Sequence, residues 1–283
     1  MSSEVLQGKT IVITGANSGI GLVAAESLAG MGAHIILACR REEAAHQAMQ
    51  DIRREHAHAS LEYVHLDLAS LASVRQAAAE ISARHPKVDV LINNAGLANL
   101  RREHSADGYE MTFAVNHLGP FLLTHLLLPA VQAARGRIIN VASGAHKAGS
   151  MHWDDLLFEK RYFGWPAYAQ SKLANILFTK ALARRCAGTG VNVNALHPGG
   201  VATNIWPKKN WFERMLSALL KRFLISPEEG ARTTIWLASN EIGGRATGKY
   251  FVRCKEREPS EEAKDKAASE RLWEISEAMT GLS

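Results

Sequence analysis

Three features of the 283-residue chain predict a single α/β domain, a doubly wound parallel sheet with helices on both faces. Short β-branched runs alternate with longer helical patterns along the whole chain. Several of these runs are apolar at consecutive positions, and the first leads directly into a glycine-rich turn and a helix. Alternation of this kind builds parallel strands joined by crossover helices, and an unbroken apolar run marks a strand covered on both faces.

The predicted strands are 10–14, 35–39, 63–66, 88–93, 137–142, 191–196 and 250–252. Ile35-Ile36-Leu37-Ala38 and Val90-Leu91-Ile92 are the clearest two-sided runs. Helical patterns fill 20–31, 42–56, 71–84, 111–134, 167–187 and 227–238, and a final amphipathic helix covers 267–279. The helix at 227 has a defined start: Ser226 as N-cap, Pro227 at the first helical position, and Glu228 and Glu229 against the positive end of the helix dipole. The charged stretch 255–266 reads as a surface segment, and no repeat or linker divides the chain, so residues 1–283 form one domain.

A composition of 47% hydrophobic and 22% charged residues is that of an ordinary globular core. Cys39, Cys186 and Cys254 are odd in number and far apart, which argues against a disulfide framework or a structural zinc site and fits a reducing cytoplasm. The net charge of +5 comes from basic residues interleaved with acids, a pattern that excludes a nucleic-acid footprint. No leader precedes the first strand, and the apolar stretch 118–134, interrupted by His125, Pro129 and Gln132, reads as a buried helix and not a membrane span.

After the first strand comes Thr14-Gly15-Ala16-Asn17-Ser18-Gly19-Ile20-Gly21. The glycines allow a tight turn and close backbone approach, and the following helix start offers free N–H groups to a pyrophosphate, the Rossmann-like arrangement. A plain structural turn would use the same glycines. The second strand decides between the two, because the ribose-reading residue falls at its end, about 20 residues after the last glycine. Cys39-Arg40-Arg41 stands there. A guanidinium can fork onto a 2′-phosphate, so Arg40 favours NADP(H) over NAD(H); its alternative is the start of a solvated helix with Glu42 and Glu43.

Tyr168 and Lys172 lie four apart on a predicted helix and emerge on one face. A phenol is a poor acid or base near neutrality, but a neighbouring ammonium and a cationic nicotinamide would stabilise its anion and lower its pKa. Ser143, at the end of the fifth strand, falls where the carboxyl ends of the strands open onto the ligand crevice. Its hydroxyl could hold a reacting carbonyl oxygen.

The ordered set TGxxxGxG at 14–21, Asn93-Asn94-Ala95-Gly96, Asn116, Ser143, YxxxK at 168–172 and Pro198-Gly199 resembles that of the short-chain dehydrogenases/reductases over nearly the whole chain. The resemblance implies catalytic roles for Asn116, Ser143, Tyr168 and Lys172. Ser143 would polarise the carbonyl, Tyr168 move the proton, Lys172 hold the nicotinamide ribose, and Asn116 anchor a relay water. It implies cofactor contacts at Gly15, Asn17, Ser18, Gly19, Ile20, Gly21, Arg40, Asp67, Leu68, Asn94, Ala95, Gly96, Tyr168, Lys172, Pro198 and Gly199, with Asp67 at the adenine. It also implies a homodimer through the helices at 111–134 and 167–187.

More narrowly, Ala38-Cys39-Arg40, Val115-Asn116-His117-Leu118-Gly119, Leu196-His197-Pro198-Gly199, Thr247-Gly248-Lys249-Tyr250-Phe251 and Arg271-Leu272-Trp273 are similar to the NADP(H)-using retinol dehydrogenase branch. That implies an apolar aldehyde, ketone or matching alcohol as substrate. The segment 203–225, with an apolar face at 211–224, reads as a lid over the substrate; a core helix, a peripheral membrane contact and a dimer patch stay open as alternatives. The twelve histidines show no metal spacing, so no metal is expected, and His117 and His146 read as pocket-wall or supporting groups. A non-catalytic NADPH sensor is the rival function, against which the intact Ser143, Tyr168 and Lys172 count.

Overall fold

The computed structural model describes residues 5–199 and 225–282. Eight strands form one sheet in the order β3-β2-β1-β4-β5-β6-β7-β8. They are β1 (Thr10–Thr14), β2 (His34–Cys39), β3 (Ser60–His65), β4 (Val90–Asn93), β5 (Arg137–Val141), β6 (Asn192–His197), β7 (Tyr250–Val252) and β8 (Lys255–Glu256). The first seven are parallel neighbours, and β8 turns back antiparallel on β7. This last strand adds a short antiparallel pair within the exposed start of the 255–266 surface segment. Arg253 and Cys254, both at positive φ, make the two-residue turn that reverses the chain.

Helices α1 (Gly19–Gly30), α2 (Glu42–Glu55), α3 (Leu71–Arg84), α4 (Met111–Ala134), α5 (Gly164–Arg185), α6 (Pro227–Ser239) and α7 (Lys266–Thr280) cover the sheet. One core layer joins Leu28, Met49 and Leu237 of α1, α2 and α6 to Ile11, Ile13, Ile35 and Leu37 of the strands. The other joins Val74, Phe121, Phe178 and Trp273 of α3, α4, α5 and α7 to Val12, Ile36, Leu91 and Ile138. Alternate residues of β1 and β2 thus enter opposite layers, which is why their sequence reads as a continuous apolar run. β3 instead lies on the sheet edge, and its Ser60 and His65 are exposed.

The predicted start of α6 is present: Ser226 Oγ accepts from the Glu229 N–H at 3.3 Å, and Pro227 opens the helix. At its other end the Arg137 guanidinium donates to the carbonyls of Leu237, Ala238 and Asn240, satisfying groups a helix terminus leaves free. α4 is long and apolar enough to cross a membrane by length and composition, yet 78% of its most apolar window is buried, as befits a core helix. It is also not uniform, since residues Ala114–Leu118 form a π-helical segment. The expected lid at 203–225 lies outside the described residues except for Ile225.

The chain winds from β1 outward to β3, then crosses to β4 on the far side of β1. Strand order reverses there, and ligands of open α/β sheets bind at the carboxyl ends of the strands flanking such a reversal.

Candidate active site

A cleft of about 570 Å³ opens at that point, at the carboxyl ends of β1, β2, β4, β5 and β6. Each of the residues expected to touch the cofactor, from Gly15 to Gly199, lies on its wall, as does Ser143. Asn116 lies behind the wall and not on it. The structure adds Ala38, Cys39, Leu66, Leu97, Val115 and Val141, neighbours of motif residues that carry no polar signature in the sequence.

The turn between β1 and α1 is built for close approach. Gly15 and Gly19 have φ of 66° and 56°, in the left-handed region that favours glycine. A Cβ on Gly21 would come within 2.4 Å of the Gly15 carbonyl oxygen and 2.5 Å of Asn94 Nδ2, so only glycine permits this packing. The first internal bond of α1 runs from the Leu22 N–H to the Ser18 carbonyl at 3.3 Å. The N–H groups of Gly19, Ile20 and Gly21 therefore have no acceptor within the helix and stand at its positive end, a fit for a pyrophosphate. Beneath the turn, burial pushes the Cys39 thiol up to about 11 and keeps it neutral.

Thr14 and the Asn93–Gly96 motif clamp β1 to β4. Thr14 Oγ1 accepts from the N–H groups of Asn94 and Ala95, both at 3.0 Å, and Asn94 Nδ2 donates to the Thr14 carbonyl at 2.9 Å. Below them Asn93 Nδ2 donates to Thr124 Oγ1 and Asn140 Oδ1, both at 2.8 Å, and Asn140 Nδ2 donates to Thr179 Oγ1 at 2.9 Å. This buried polar chain fixes β4, β5, α4 and α5 relative to one another, because breaking any member strands a desolvated partner. Asp67 faces the cleft with Oδ1 held by the Ala69 N–H at 2.9 Å, and Arg40 projects, exposed, at the end of β2.

At the opposite end of the cleft Tyr168 and Lys172 emerge from one face of α5, both buried, and Tyr168 is hydrogen-bonded to the Ser143 side chain. Ser143 Oγ also caps the short 3-10 turn Gly144–Ala148 by accepting from the Ala145 N–H at 3.2 Å. Lys172 Nζ stands 5.7 Å from the centre of the Tyr168 ring and donates to the Val141 carbonyl at 3.1 Å. Burial lowers its pKa to about 8, so it is still mainly charged at neutral pH. Burial raises the pKa of the phenol, and the Ser143 hydrogen bond opposes this in part. The ammonium thus bonds to the backbone of β5 while lying beside the Tyr168 ring.

Asn116 occupies the π-helical segment. Its Oδ1 accepts from the Leu97 N–H at 2.8 Å, and its Nδ2 donates to the Leu97 carbonyl at 2.8 Å and to Ser171 Oγ at 2.9 Å. The side chain thus ties α4 to the Gly96-Leu97 backbone on the cleft wall and to α5.

His197, at the end of β6, has a supporting role that its motif does not reveal. Its Nδ1 accepts from the Gly144 N–H at 3.0 Å and the Gly199 N–H at 3.3 Å, linking the turn after Ser143 to Pro198-Gly199. Burial, then the positive charges of its neighbours, lower its pKa to about 4 and keep it the acceptor this geometry needs. Only the fold brings its two donors together. His146 Nδ1 lies 2.6 Å from the Ser143 carbonyl and its Nε2 accepts from the Ser260 N–H at 3.2 Å, which supports the Ser143 turn from behind.

His117 points away from the cleft into the aromatic packing of Phe113, Phe121 and Phe178. Ser276 Oγ gives its own proton to the Leu272 carbonyl at 2.7 Å, so His117 Nε2–H donates to that oxygen at 2.8 Å. Its Nδ1 has no partner, and burial lowers its pKa to about 3 from the ordinary 6.5. The folded chain therefore holds this imidazole neutral while the unfolded chain protonates it below pH 6.5, so stability falls as pH drops from 6.5 toward 3. Between pH 7 and pH 5 the loss from this residue is about 2 kcal/mol. Urea unfolding at both pH values should show a smaller pH effect in His117→Phe than in the parent, and equal effects would disprove the assignment.

A dinucleotide-sized cleft at a sheet reversal, with Ser143, Tyr168 and Lys172 gathered at one end, defines a class that comparison with known proteins identifies. The short chain dehydrogenase family matches residues 9–213, and the chain belongs to the short-chain dehydrogenases/reductases. Within that family it falls in the retinol dehydrogenase branch: human retinol dehydrogenase 13 is 44% identical over 99% of this chain and 87% of its own length. Among solved structures, an uncharacterised protein from Mycobacterium paratuberculosis superposes with a TM-score of 0.82 and 35% identity, covering 99% of this chain and 96% of its own. A short chain dehydrogenase from Escherichia coli CFT073 complexed with NADPH gives a TM-score of 0.70 at 26% identity, covering 90% of this chain and 100% of its own.

Proposed function

We propose that the protein is an NADP(H)-dependent reductase of apolar aldehydes or ketones, able to run the matching alcohol oxidation and retinal-like in its substrate range. The observation that carries the reaction class is the contact of the Ser143 side chain with Tyr168 beside a buried Lys172 at the end of the cleft. Arg40 at the end of β2 supports the preference for the 2′-phosphorylated cofactor, and the NADPH complex of the Escherichia coli relative is consistent with it. Substrate class rests on likeness to proteins named retinol dehydrogenases.

The residues divide the work. The glycine turn and α1 N-terminus would hold the pyrophosphate, Arg40 the 2′-phosphate, Asp67 the adenine, and Lys172 the nicotinamide ribose. Bound there, the nicotinamide supplies or takes up the hydride. Ser143 Oγ–H orients the carbonyl oxygen of the substrate, and Tyr168 donates its proton as charge builds on that oxygen. In the alcohol direction Tyr168 accepts the proton instead. Because the phenol keeps its proton at neutral pH, it is in the form needed for carbonyl reduction. Asn116 acts as a positioning residue for the Gly96-Leu97 wall, and the relay water that the resemblance assigns to it is part of this proposal.

The test is oxidation of NADPH by the purified protein, followed by loss of the reduced-nicotinamide absorbance, with all-trans-retinal and other apolar aldehydes and ketones. Turnover that is faster with NADPH than with NADH is the expected result. Turnover confined to small polar carbonyls, or to NADH, would overturn the reading.

A further inference from the structure

We infer that His34, Glu62 and His85 form a divalent transition-metal site at the edge of the sheet remote from the cofactor cleft. Each offers one ligand atom, and the three atoms lie within 4.8 Å of one another. The parallel register of β2 and β3 sets His34 opposite Ser60, and Glu62 lies two residues on, so the side chains of all three share one face. His85, the C-cap of α3, comes down onto that face. The two imidazoles lie tilted by 31° with centroids 5.1 Å apart and direct their Nε2 atoms at one oxygen, Glu62 Oε2, at 3.3 Å from His34 and 2.9 Å from His85.

The two nitrogen-to-oxygen separations are close to those of a coordination sphere. Zinc holds imidazole nitrogen and carboxylate oxygen at 2.0–2.2 Å, so neighbouring ligands of a tetrahedral site stand about 3.4 Å apart. Two nitrogens and one carboxylate oxygen suit Zn²⁺, with the fourth position left to water. Supporting contacts already orient the ligands. His34 Nδ1 lies 2.7 Å from Ser60 Oγ, which can accept its proton once Nε2 binds metal. Arg84 pairs with Glu62 Oε1 at 2.9 Å and with Glu80, which leaves Oε2 as a single-oxygen ligand.

Both imidazoles direct nitrogen at one carboxylate oxygen. Binding takes each ring in the tautomer that carries its proton on Nδ1. The ligands stay one-quarter exposed or less, His34 at 24% being the most open, so an ion has access without a change of fold. His34 starts β2 and Arg40 follows its end, a separation of roughly 17–20 Å along the strand. Metal there would tie β2, β3 and α3 together without touching the cofactor.

The experiment is titration of the metal-stripped, reduced full-length protein with ZnCl2 by calorimetry, and with CoCl2 by visible absorption, in parent, His34→Ala and His85→Ala proteins. The parent is expected to bind one zinc tightly enough to raise its unfolding midpoint in a concentration-dependent way. It should also give the visible bands of four-coordinate cobalt without a thiolate charge-transfer band. Each variant should retain NADPH binding, which shows that it is folded, and lose at least tenfold in zinc affinity. Failure of the parent to bind, unchanged affinity in both variants, or a thiolate band that moves the metal to a cysteine would overturn the site. None of these outcomes depends on turnover.

Discussion

Tyr168→Phe is expected to lower kcat for carbonyl reduction by 10²–10⁴-fold, the range that a positioned general acid supplies, while NADPH affinity stays within about twofold of the parent. The substitution removes one oxygen from a side chain that is 7% exposed, and leaves the ring packed against Ala98, Ala145 and Ala169. Ser143 keeps its cap contact with the Ala145 N–H, and Lys172 keeps its bond to the Val141 carbonyl, so neither neighbour depends on the phenol for its position. What disappears is the hydroxyl beside the Ser143 side chain that can hand a proton to the developing alkoxide. Stopped-flow or steady-state turnover, set beside fluorescence titration of NADPH, separates the two effects. A variant that retained more than a tenth of the parent rate would assign the proton to another donor, and one that lost NADPH binding would show that the phenol supports the cleft itself.

The parts of the fold and site that could be read in the sequence are those fixed by local order. The Gly15–Gly21 turn follows directly on β1, and Tyr168 and Lys172 are a helical turn apart, so position along the chain is enough to place them together. β1 and β7 have their predicted bounds because apolar β-branched or aromatic residues end sharply at polar ones. β8 could not be read: Lys255 and Glu256 are exposed and charged, and they pair only because the turn at Arg253-Cys254 carries them back along Val252. The π segment of α4 was equally hidden, since Ala114–Leu118 differs from the helix around it in its hydrogen bonding.

Groups assembled from distant segments left the least trace. His197 becomes a link only when β5 and β6 pair and bring Gly144 to its ring. His34, Glu62 and His85 span three elements with no ligand spacing, and the register of β2 on β3 does the assembly. Part of the surroundings of Lys172 was hidden for a related reason. Helical spacing puts two side chains on one face, but the acceptor that captures the ammonium, the Val141 carbonyl, comes from another strand.

Arg40→Ala is expected to weaken NADPH binding by about 10- to 100-fold and to leave NADH binding nearly unchanged, an effect of 1.5–3 kcal/mol for hydrogen bonds from a charged group. Arg40 is the first residue past the end of β2 and reaches the cleft from an exposed position, so its removal opens no cavity in the core. Its contribution is also the part of cofactor binding most sensitive to salt, because an exposed guanidinium meets a phosphate in a screened environment. Raising ionic strength should therefore erode the preference of the parent for NADPH and have little influence on the variant. Arg41 lines the same wall, so a residual preference in Arg40→Ala that vanishes in the double variant would divide the 2′-phosphate between the two side chains. If Arg40→Ala instead weakens both cofactors equally, the guanidinium acts on the part they share, the adenosine or pyrophosphate, and the choice of NADP(H) must come from elsewhere on the wall.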